Sequence, residues 1–192
     1  MKKISLIIII LIATLASYLI YNHFENHVVK ITDNIKIAKE YTLLEEDNVY
    51  KYATIDTALH LFEEGSSILF IGFKESEYSN HYIKYVNEVA KDNQISEIYY
   101  LDILTNRNSN TAKYQKLTEL LKDNLIIDDT GKHKITVPAI VFIKDKKVVA
   151  FDNETSIRTN NTKANDYWTQ DNINLFKSKI NTYMIEFKGG NN

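Results

Sequence analysis

Residues 66–85, SSILFIGFKESEYSNHYIKY, combine an apolar run, a short polar loop and the start of an amphipathic pattern. The run ILFI at residues 68–71 predicts a central strand, and the loop after it begins at Gly72. From Ser76 or Glu77 onward, apolar side chains recur at helical spacing. The expected buried face of this helix consists of Tyr82, Ile83, Val86, Val89 and Ala90. The stretch therefore predicts a strand, a loop and a helix in direct succession.

The rest of the chain predicts an alternating α/β pattern around this stretch. Further strands are expected at residues 49–53, 95–103, 138–143 and 147–151, the last two forming a hairpin around a turn at residues 144–146. Helices are expected from the N-cap Thr54 to Gly65, across residues 114–124, and from the N-cap Asp171 through Phe187. The apolar face of the middle helix is expected to be Tyr114, Leu117, Leu120 and Leu121. The resulting order, β-α-β-α-β-α-β-β-α, is an α/β fold with a sheet covered by helices on both sides.

The start of the helix after Gly72 carries two hydroxyl groups at a spacing used by redox proteins. A C-x-x-C motif places its two thiols three residues apart, and serines occupy both of those positions in this chain. The motif positions are Ser76, Glu77, Tyr78 and Ser79. A second feature is Pro138, the only proline of the chain, which follows Val137 ahead of the predicted hairpin.

With this element order, the motif loop and the Val137–Pro138 step, residues 48–188 resemble the thioredoxin fold. More narrowly, they resemble membrane-anchored thioredoxin-like proteins of the bacteriocin transport accessory type, in which this loop reads like G-x-x-x-C-x-x-C. The resemblance implies a thioredoxin-like domain with a central mixed sheet flanked by helices, preceded by one N-terminal transmembrane helix. It also implies a cis peptide bond before Pro138, lying against the motif.

The chain contains no cysteine, which removes the chemistry that the resemblance would otherwise imply. Disulfide exchange requires a thiolate to attack sulfur and a second thiol to release the mixed disulfide. A serine hydroxyl stays protonated near neutral pH and forms no disulfide, so Ser76 and Ser79 predict a redox-inactive domain. The buried carboxylate that serves such enzymes as proton acceptor also has no evident counterpart in residues 67–73. Disulfides, cysteine-type zinc sites and iron–sulfur clusters are excluded as well.

The resemblance also implies a binding site that does not depend on sulfur. In the family, the residue before the proline offers backbone hydrogen bonds to an extended peptide, by the strand pairing that builds sheets. The peptide-binding candidates are therefore Val137, Pro138 and the motif residue Tyr78. The alternative is that Pro138 only shapes the loop before the hairpin.

The N-terminus predicts a membrane anchor. Lys2 and Lys3 precede an apolar run of 17 residues, 4–20, near the short end of the roughly 17–25 residues that span a bilayer. The lysines orient the chain with its C-terminal domain outside the cytoplasm. The alternative is a cleaved signal peptide and a secreted domain.

The predicted organisation has four parts. They are an anchor or signal segment at residues 1–21, a polar stalk at 22–47, the thioredoxin-like domain at 48–188 and a disordered tail at 189–192. The stalk has a weak apolar stripe made of Ile31, Ile35, Ala38 and Thr42. Whether it packs on the domain or only separates the domain from the membrane stays open.

Three functions stay open for this chain. The favoured hypothesis is a redox-inactive module at the cell membrane that binds an extended peptide or a membrane or secreted protein, as an accessory in bacteriocin or peptide export, maturation or self-protection. The second is an enzyme, either a thiol–disulfide oxidoreductase represented by a Cys-to-Ser variant or a hydrolase that pairs Ser76 with His133. For Ser76 the competing role is a helix N-cap, worth roughly 1 kcal/mol. The third is a structural subunit of a membrane transport complex.

Composition argues against other partners. The net charge is −2 and charges of both signs are interspersed, so no basic stripe suggests nucleic acid. His23 and His27 flank Glu25 with a spacing that metals accept, but two imidazoles on a solvated stalk do not complete a ligand set. No metal site and no cofactor are therefore predicted.

Overall fold

The computed structural model describes residues 13–19, 31–154 and 162–189. The chain divides into two compact units, Met1–Thr32 and Asp33–Asn192. The second unit contains the sheet, its helices and the predicted motif.

The first unit is described over residues 13–19, which are helical, and over residues 31–32. Within the described residues, no helix combines the length and the apolar character that crossing a bilayer requires. Most of the predicted anchor at residues 4–20, together with residues 22–30 of the predicted stalk, lies outside the described residues.

Five strands of the second unit form one mixed sheet in the spatial order β1-β3-β2-β4-β5. They are β1 (Tyr50–Tyr52), β2 (Ser67–Gly72), β3 (Ile98–Asp102), β4 (Ala139–Lys144) and β5 (Lys147–Asp152). Strands β1 and β2 run parallel to β3, which lies between them. Strand β4 runs antiparallel to β2, and β5 antiparallel to β4. The predicted α/β class and mixed sheet are confirmed.

The β4–β5 hairpin turns on Asp145 and Lys146, whose φ angles are both positive, at 50° and 67°. Two successive positive φ angles are typical of the type I′ turn, whose twist matches that of the strands it joins. The hairpin predicted around residues 144–146 is confirmed.

The helices of the second unit lie between and after the strands. They are α1 (Asp33–Glu40), α2 (Ile55–Glu64), α3 (Glu77–Asp92), α4 (Leu104–Asn108), α5 (Ala112–Leu121), α6 (Ala164–Tyr167) and α7 (Gln170–Lys188), and α5 continues into a 3₁₀ turn, Lys122–Asn124. Helices α4 and α6 are short and fall in segments for which no helix is predicted from the sequence.

Capping side chains fix the ends of several helices. The Thr54 hydroxyl accepts a hydrogen bond from the Thr57 N–H at 3.1 Å, which confirms the predicted N-cap of α2. The predicted N-cap of α7 is wrong by two residues. The cap is Thr169, whose hydroxyl accepts from the Asn172 N–H, and Asp171 lies in the first turn.

Alternation along the strands divides the core into two layers, one on each face of the sheet. One layer joins α3 and α7 to the strand residues Phe70, Tyr100, Ile140 and Phe142. The other joins α2 and α5 to Leu69, Ile71, Leu101 and Val141. Every residue of the predicted apolar face of α3 is buried. Helices therefore flank the sheet on both faces, as predicted.

Residues 33–47, which the sequence assigns to the stalk, belong to the compact unit. Ile37, Tyr41 and Leu44 are buried in the layer that contains α3 and α7. The Tyr41 hydroxyl lies 3.0 Å from the hydroxyl of Tyr100 on β3. This part of the predicted stalk therefore packs on the domain.

Two predicted apolar stripes differ from the structure. In the predicted stalk Ile31 is 52% exposed, whereas Ile37, which the stripe omits, is completely buried. With few apolar residues in α1, its periodicity is too weak to identify the buried face. In α5, the predicted residues Tyr114, Leu117 and Leu121 are buried, whereas Leu120 lies beside that face and is 41% exposed.

Candidate functional site

The motif loop leads from the end of β2 directly into α3. The Ser76 N–H donates a hydrogen bond to the Phe73 C=O at 3.1 Å, and the Ser79 N–H donates to the Ser76 C=O at 3.0 Å. Ser76 occupies the N-cap position of α3, as predicted, with extended backbone angles. Its hydroxyl makes no capping hydrogen bond, so the expected capping contribution is absent.

Ser79 faces the core of the domain. Its side chain is completely buried, and its Oγ has no hydrogen-bond partner within the described part of the chain. A hydroxyl in this position does not reach a substrate in solvent. Ser79 therefore acts as a small buried side chain, not as a nucleophile.

The motif residues line a surface cleft of about 550 Å³, which we name the motif cleft. Its lining consists of Phe73, Glu75, Ser76, Glu77, Tyr78, Arg107, Lys134, Thr136 and Val137. The cleft brings together four residues that the sequence singles out, Ser76, Glu77, Tyr78 and Val137. The other two, Ser79 and Pro138, are buried and do not line it.

Residues 134–137 contribute the part of the cleft that precedes β4. Along this segment burial alternates, with Ile135 and Val137 buried, Lys134 exposed and Thr136 half-buried. The Val137–Pro138 peptide bond is cis, as the resemblance implies. The backbone N–H and C=O of Thr136 make no hydrogen bond to any residue that the structure describes. The cleft therefore presents an unused backbone donor and acceptor beside the motif.

Charges of both signs line the motif cleft without pairing. The guanidinium of Arg107, on α4, lies 4.7 Å from the ring centroid of Phe73. Neither Arg107 nor Lys134 forms an ion pair with a carboxylate of the described chain. Glu75 and Glu77 likewise take part in none of the ion pairs that join the described residues. Two cations and two carboxylates are thus available to a ligand.

Sequence reasoning missed Arg107, Lys134 and Thr136. A signal was present for two of them, because Lys134 and Thr136 alternate with apolar residues immediately before Pro138. For Arg107 there was no local signal. It reaches the cleft because β3 lies parallel to β2, so the chain leaves both strands at the same edge of the sheet.

A side-chain hydrogen bond attaches the segment before β4 to the end of β5. The Nδ2 of Asn153 donates a hydrogen bond to the Thr136 Oγ1 at 2.9 Å. Asn153 itself is buried. This bond fixes the side chain of Thr136 and leaves its backbone groups available in the cleft.

A partly buried ionic cluster lies at the same end of β5. The Nζ of Lys179 lies 2.5 Å from the Asp152 Oδ1 and 2.6 Å from the Glu154 Oε2. The Tyr82 hydroxyl donates to the Asp152 Oδ2 at 2.7 Å. Burial disfavours the charged form of Lys179, but the carboxylates of Asp152 and Glu154 outweigh burial and raise its pKa. Burial, reinforced by the Asp152 carboxylate, raises the pKa of Tyr82 well above its ordinary value. The cluster ties β5 to α3 and α7.

The described residues contain no serine–histidine pair of the kind that activates a nucleophile. His133 lines a separate cavity of about 440 Å³ with Tyr114 and Glu119. Ser76 shares another cavity, of about 490 Å³, with His81. The His81 Nε2 lies 2.8 Å from the Asn165 Oδ1, however, and no hydrogen bond joins it to Ser76.

No group of three or more potential metal ligands occurs among residues 13–19, 31–154 and 162–189. The stalk residues His23, Glu25 and His27 lie outside the described residues.

No protein-family model matches this chain, and a search of curated proteins found no significant match. The chemistry of the site is therefore inferred from its own side-chain and backbone groups. These are backbone hydrogen-bonding groups, two cations, two carboxylates and the half-buried ring of Tyr78.

Proposed function

We propose that this chain is a redox-inactive, thioredoxin-like protein held at the cell membrane, whose motif cleft binds an extended peptide of a membrane or secreted protein. The resemblance of the sequence supplies the setting, an accessory role in bacteriocin or peptide export, maturation or self-protection. Without a thiol, binding is the activity that the motif positions retain.

The element order supports the thioredoxin-like assignment. Leaving aside the additional helices α1, α4 and α6, the chain runs β1-α2-β2-α3-β3-α5-β4-β5-α7. This is the order on which the resemblance rests. Helix α3 begins immediately after Ser76, at the position where such a fold would carry its first thiol.

Restoring the thiols tests this assignment. In the double variant Ser76→Cys/Ser79→Cys, the two sulfurs stand one helical turn apart, and we expect them to form a disulfide on mild oxidation. Mass spectrometry of the non-reduced full chain measures the loss of two hydrogen atoms, and Ser76→Cys alone is the control. A double variant that keeps both thiols under these conditions would count against the assignment.

The unused backbone groups of Thr136 carry the proposal of peptide binding. An extended peptide lying beside Thr136 pairs with this N–H and C=O as an added strand pairs with a sheet edge. Tyr78, from the first turn of α3, provides aromatic surface in the same cleft. The hydrogen bond from Asn153 holds Thr136 in place before the peptide arrives, which reduces the entropy lost on binding.

A random peptide library displayed on phage tests the proposal on the full chain in lipid nanodiscs. We expect the library to yield peptides that bind the wild-type chain and bind the cleft variant Tyr78→Ala more weakly. The matched control is Tyr99→Ala, which removes a half-buried tyrosine outside the cleft.

Hydrogen exchange of the Thr136 amide, followed by NMR, then reports the backbone pairing directly. A bound peptide should slow this exchange. A selection that yields no peptide sensitive to Tyr78→Ala, or peptides that leave the Thr136 amide unprotected, would overturn the proposal.

The proposed location rests on the apolar run 4–20 and on the two lysines before it. The described part of that run, residues 13–19, is helical and exposes Leu15, Tyr18 and Leu19. We expect the full chain to stay with the membrane pellet after alkaline carbonate extraction. Protease added outside the cytoplasm should digest its C-terminal domain. Recovery of the intact chain in the soluble fraction would contradict the anchor.

A further inference from the structure

We infer that the motif cleft selects an extended peptide that carries an acidic side chain, which Arg107 and Lys134 bind. The inference rests on the proposed peptide binding and adds the chemistry of the partner. It starts from the two cations of the cleft, which form no ion pair with a carboxylate among the described residues.

Arg107 is positioned for a carboxylate. Its guanidinium carbon lies 4.7 Å from the centroid of the Phe73 ring, and that ring is itself buried. The guanidinium makes no hydrogen bond among the described residues, so its N–H donors are available. A carboxylate accepts two of these donors at once, which gives both strength and a defined orientation.

Lys134 lies on the same segment as Thr136, the residue beside which the peptide is proposed to lie. Lys134 and Thr136 are two residues apart and share the side of the segment that is not buried. The Lys134 N–H already donates to the Ile126 C=O at 3.3 Å, so the backbone pairing of the peptide is expected at Thr136 and not at Lys134. The side chain of Lys134 is exposed in the cleft beside the end of that pairing. Side chains directly opposite each other in paired strands lie close enough to interact. The acidic side chain is therefore expected at one fixed position of the peptide.

The carboxylates of the cleft restrict the position at which an acidic side chain of the peptide can bind. Glu75 and Glu77 balance the charges of Arg107 and Lys134, so the lining has no net charge to attract any acidic chain. They also repel an acid placed beside the start of α3. The cleft thus selects peptides by the position of the acidic residue in their sequence, and not only by their number of acidic residues.

The phage selection that tests peptide binding also tests this inference. Peptides selected on the wild-type chain in nanodiscs should carry Asp or Glu at one position relative to the residue that protects the Thr136 amide. In synthetic copies, replacing that acid by Asn or Gln should weaken binding about tenfold, the value of one charge-assisted hydrogen bond. The loss should shrink at high salt.

Variants of the two cations identify the contact. Arg107→Gln and Lys134→Gln should each reduce the preference for the acid, and Lys134→Glu should select Lys or Arg at the same position. Lys132→Gln removes the same charge two residues away, outside the cleft, and should leave the preference unchanged. Arg107→Lys keeps the charge without the planar edge, and an intermediate preference is expected.

The failures are distinguishable. Peptides that protect the Thr136 amide but show no acid preference, or a preference unchanged in Arg107→Gln and Lys134→Gln, would overturn the acidic contact alone. If no peptide protects the Thr136 amide, the proposed function itself fails.

Discussion

Ser76 and Ser79 hold equivalent positions in the motif but lie in different environments. The Ser76 side chain is half-buried and makes no capping hydrogen bond, whereas the Ser79 hydroxyl is buried without a partner. A buried, unpaired hydroxyl lowers stability because it loses its hydrogen bonds to water on folding. The two serines therefore predict different changes in stability on replacement by alanine.

Ser79→Ala should raise the free energy of unfolding by about 1 kcal/mol, because it removes an unsatisfied buried group. Ser76→Ala should change it by less than about 0.5 kcal/mol, below the usual loss on removing an N-cap serine. Denaturant titration of the full chain in micelles, followed by circular dichroism of the domain, measures both. Destabilisation by Ser79→Ala of about 1 kcal/mol or more would show that its hydroxyl has a partner.

A side-chain hydrogen bond links the segment before β4 to the chain just beyond β5. Asn153, just beyond β5, donates to the hydroxyl of Thr136, which supports the cleft from behind. The strength of this link is measurable apart from peptide binding.

A double-mutant cycle with Asn153→Ala and Thr136→Val should give a coupling energy of about 1 kcal/mol. Asn153→Ala should also speed hydrogen exchange, in the free protein, of the Lys134 amide, which donates to the Ile126 C=O. Additive effects of the two substitutions, with unchanged exchange, would mean that the link does not hold the segment.

Helix α1 is the element that the sequence describes least well. It packs through Ile37, and Tyr41 follows it into the same layer. Ile37→Ala should lower the free energy of unfolding by about 2–5 kcal/mol, the range for emptying a core position. The matched substitution Ile31→Ala, at an exposed position, should change it by less than about 0.5 kcal/mol. If Ile37→Ala and Ile31→Ala both changed the free energy of unfolding only slightly, α1 would not pack on the domain.

The elements were predictable where one physical signal dominated. The apolar face of α3 and the hairpin were predicted from helical and strand periodicity. These segments show that periodicity because one side of each is buried in the core. The weak stripe of α1 left its packing open, because the helix contributes one completely buried side chain and its other apolar residues, Ile35 and Ala38, are only half-buried. Arg107, Lys134 and Thr136 were missed as cleft residues because strand pairing brings them to the motif: β3 pairs parallel with β2, and β4 pairs antiparallel with it. Periodicity along the chain carries no information about that pairing.

For the molecule as a whole, buried tyrosines predict how stability depends on pH. Burial raises the pKa of Tyr41, Tyr50, Tyr82 and Tyr100 above the ordinary value of 10.0. The folded state therefore keeps these protons at pH values where the unfolded chain releases them. These tyrosines make their full contribution to the free energy of unfolding below about pH 10, and they lose it progressively as the pH rises above that value. The raised pKa of Lys179 acts in the same direction.

We expect the free energy of unfolding to fall steeply above about pH 10, by roughly 1.4 kcal/mol per pH unit for each such tyrosine. Tyr50→Phe should reduce that slope by one tyrosine equivalent. Between about pH 7 and 8, where tyrosine is protonated in both states, wild type and variant should differ by a constant amount. Denaturant midpoints across this range provide the measurement, and equal slopes above about pH 10 would contradict the assignment.

The hydroxyls at positions 76 and 79 have a consequence for the lifetime of any complex. A chain without sulfur nucleophiles forms no covalent intermediate with its partner, so nothing has to be resolved chemically before the partner leaves. Occupancy of the cleft then follows mass action alone. It is set by partner concentration and dissociation rate, and it stays the same in oxidising and reducing surroundings.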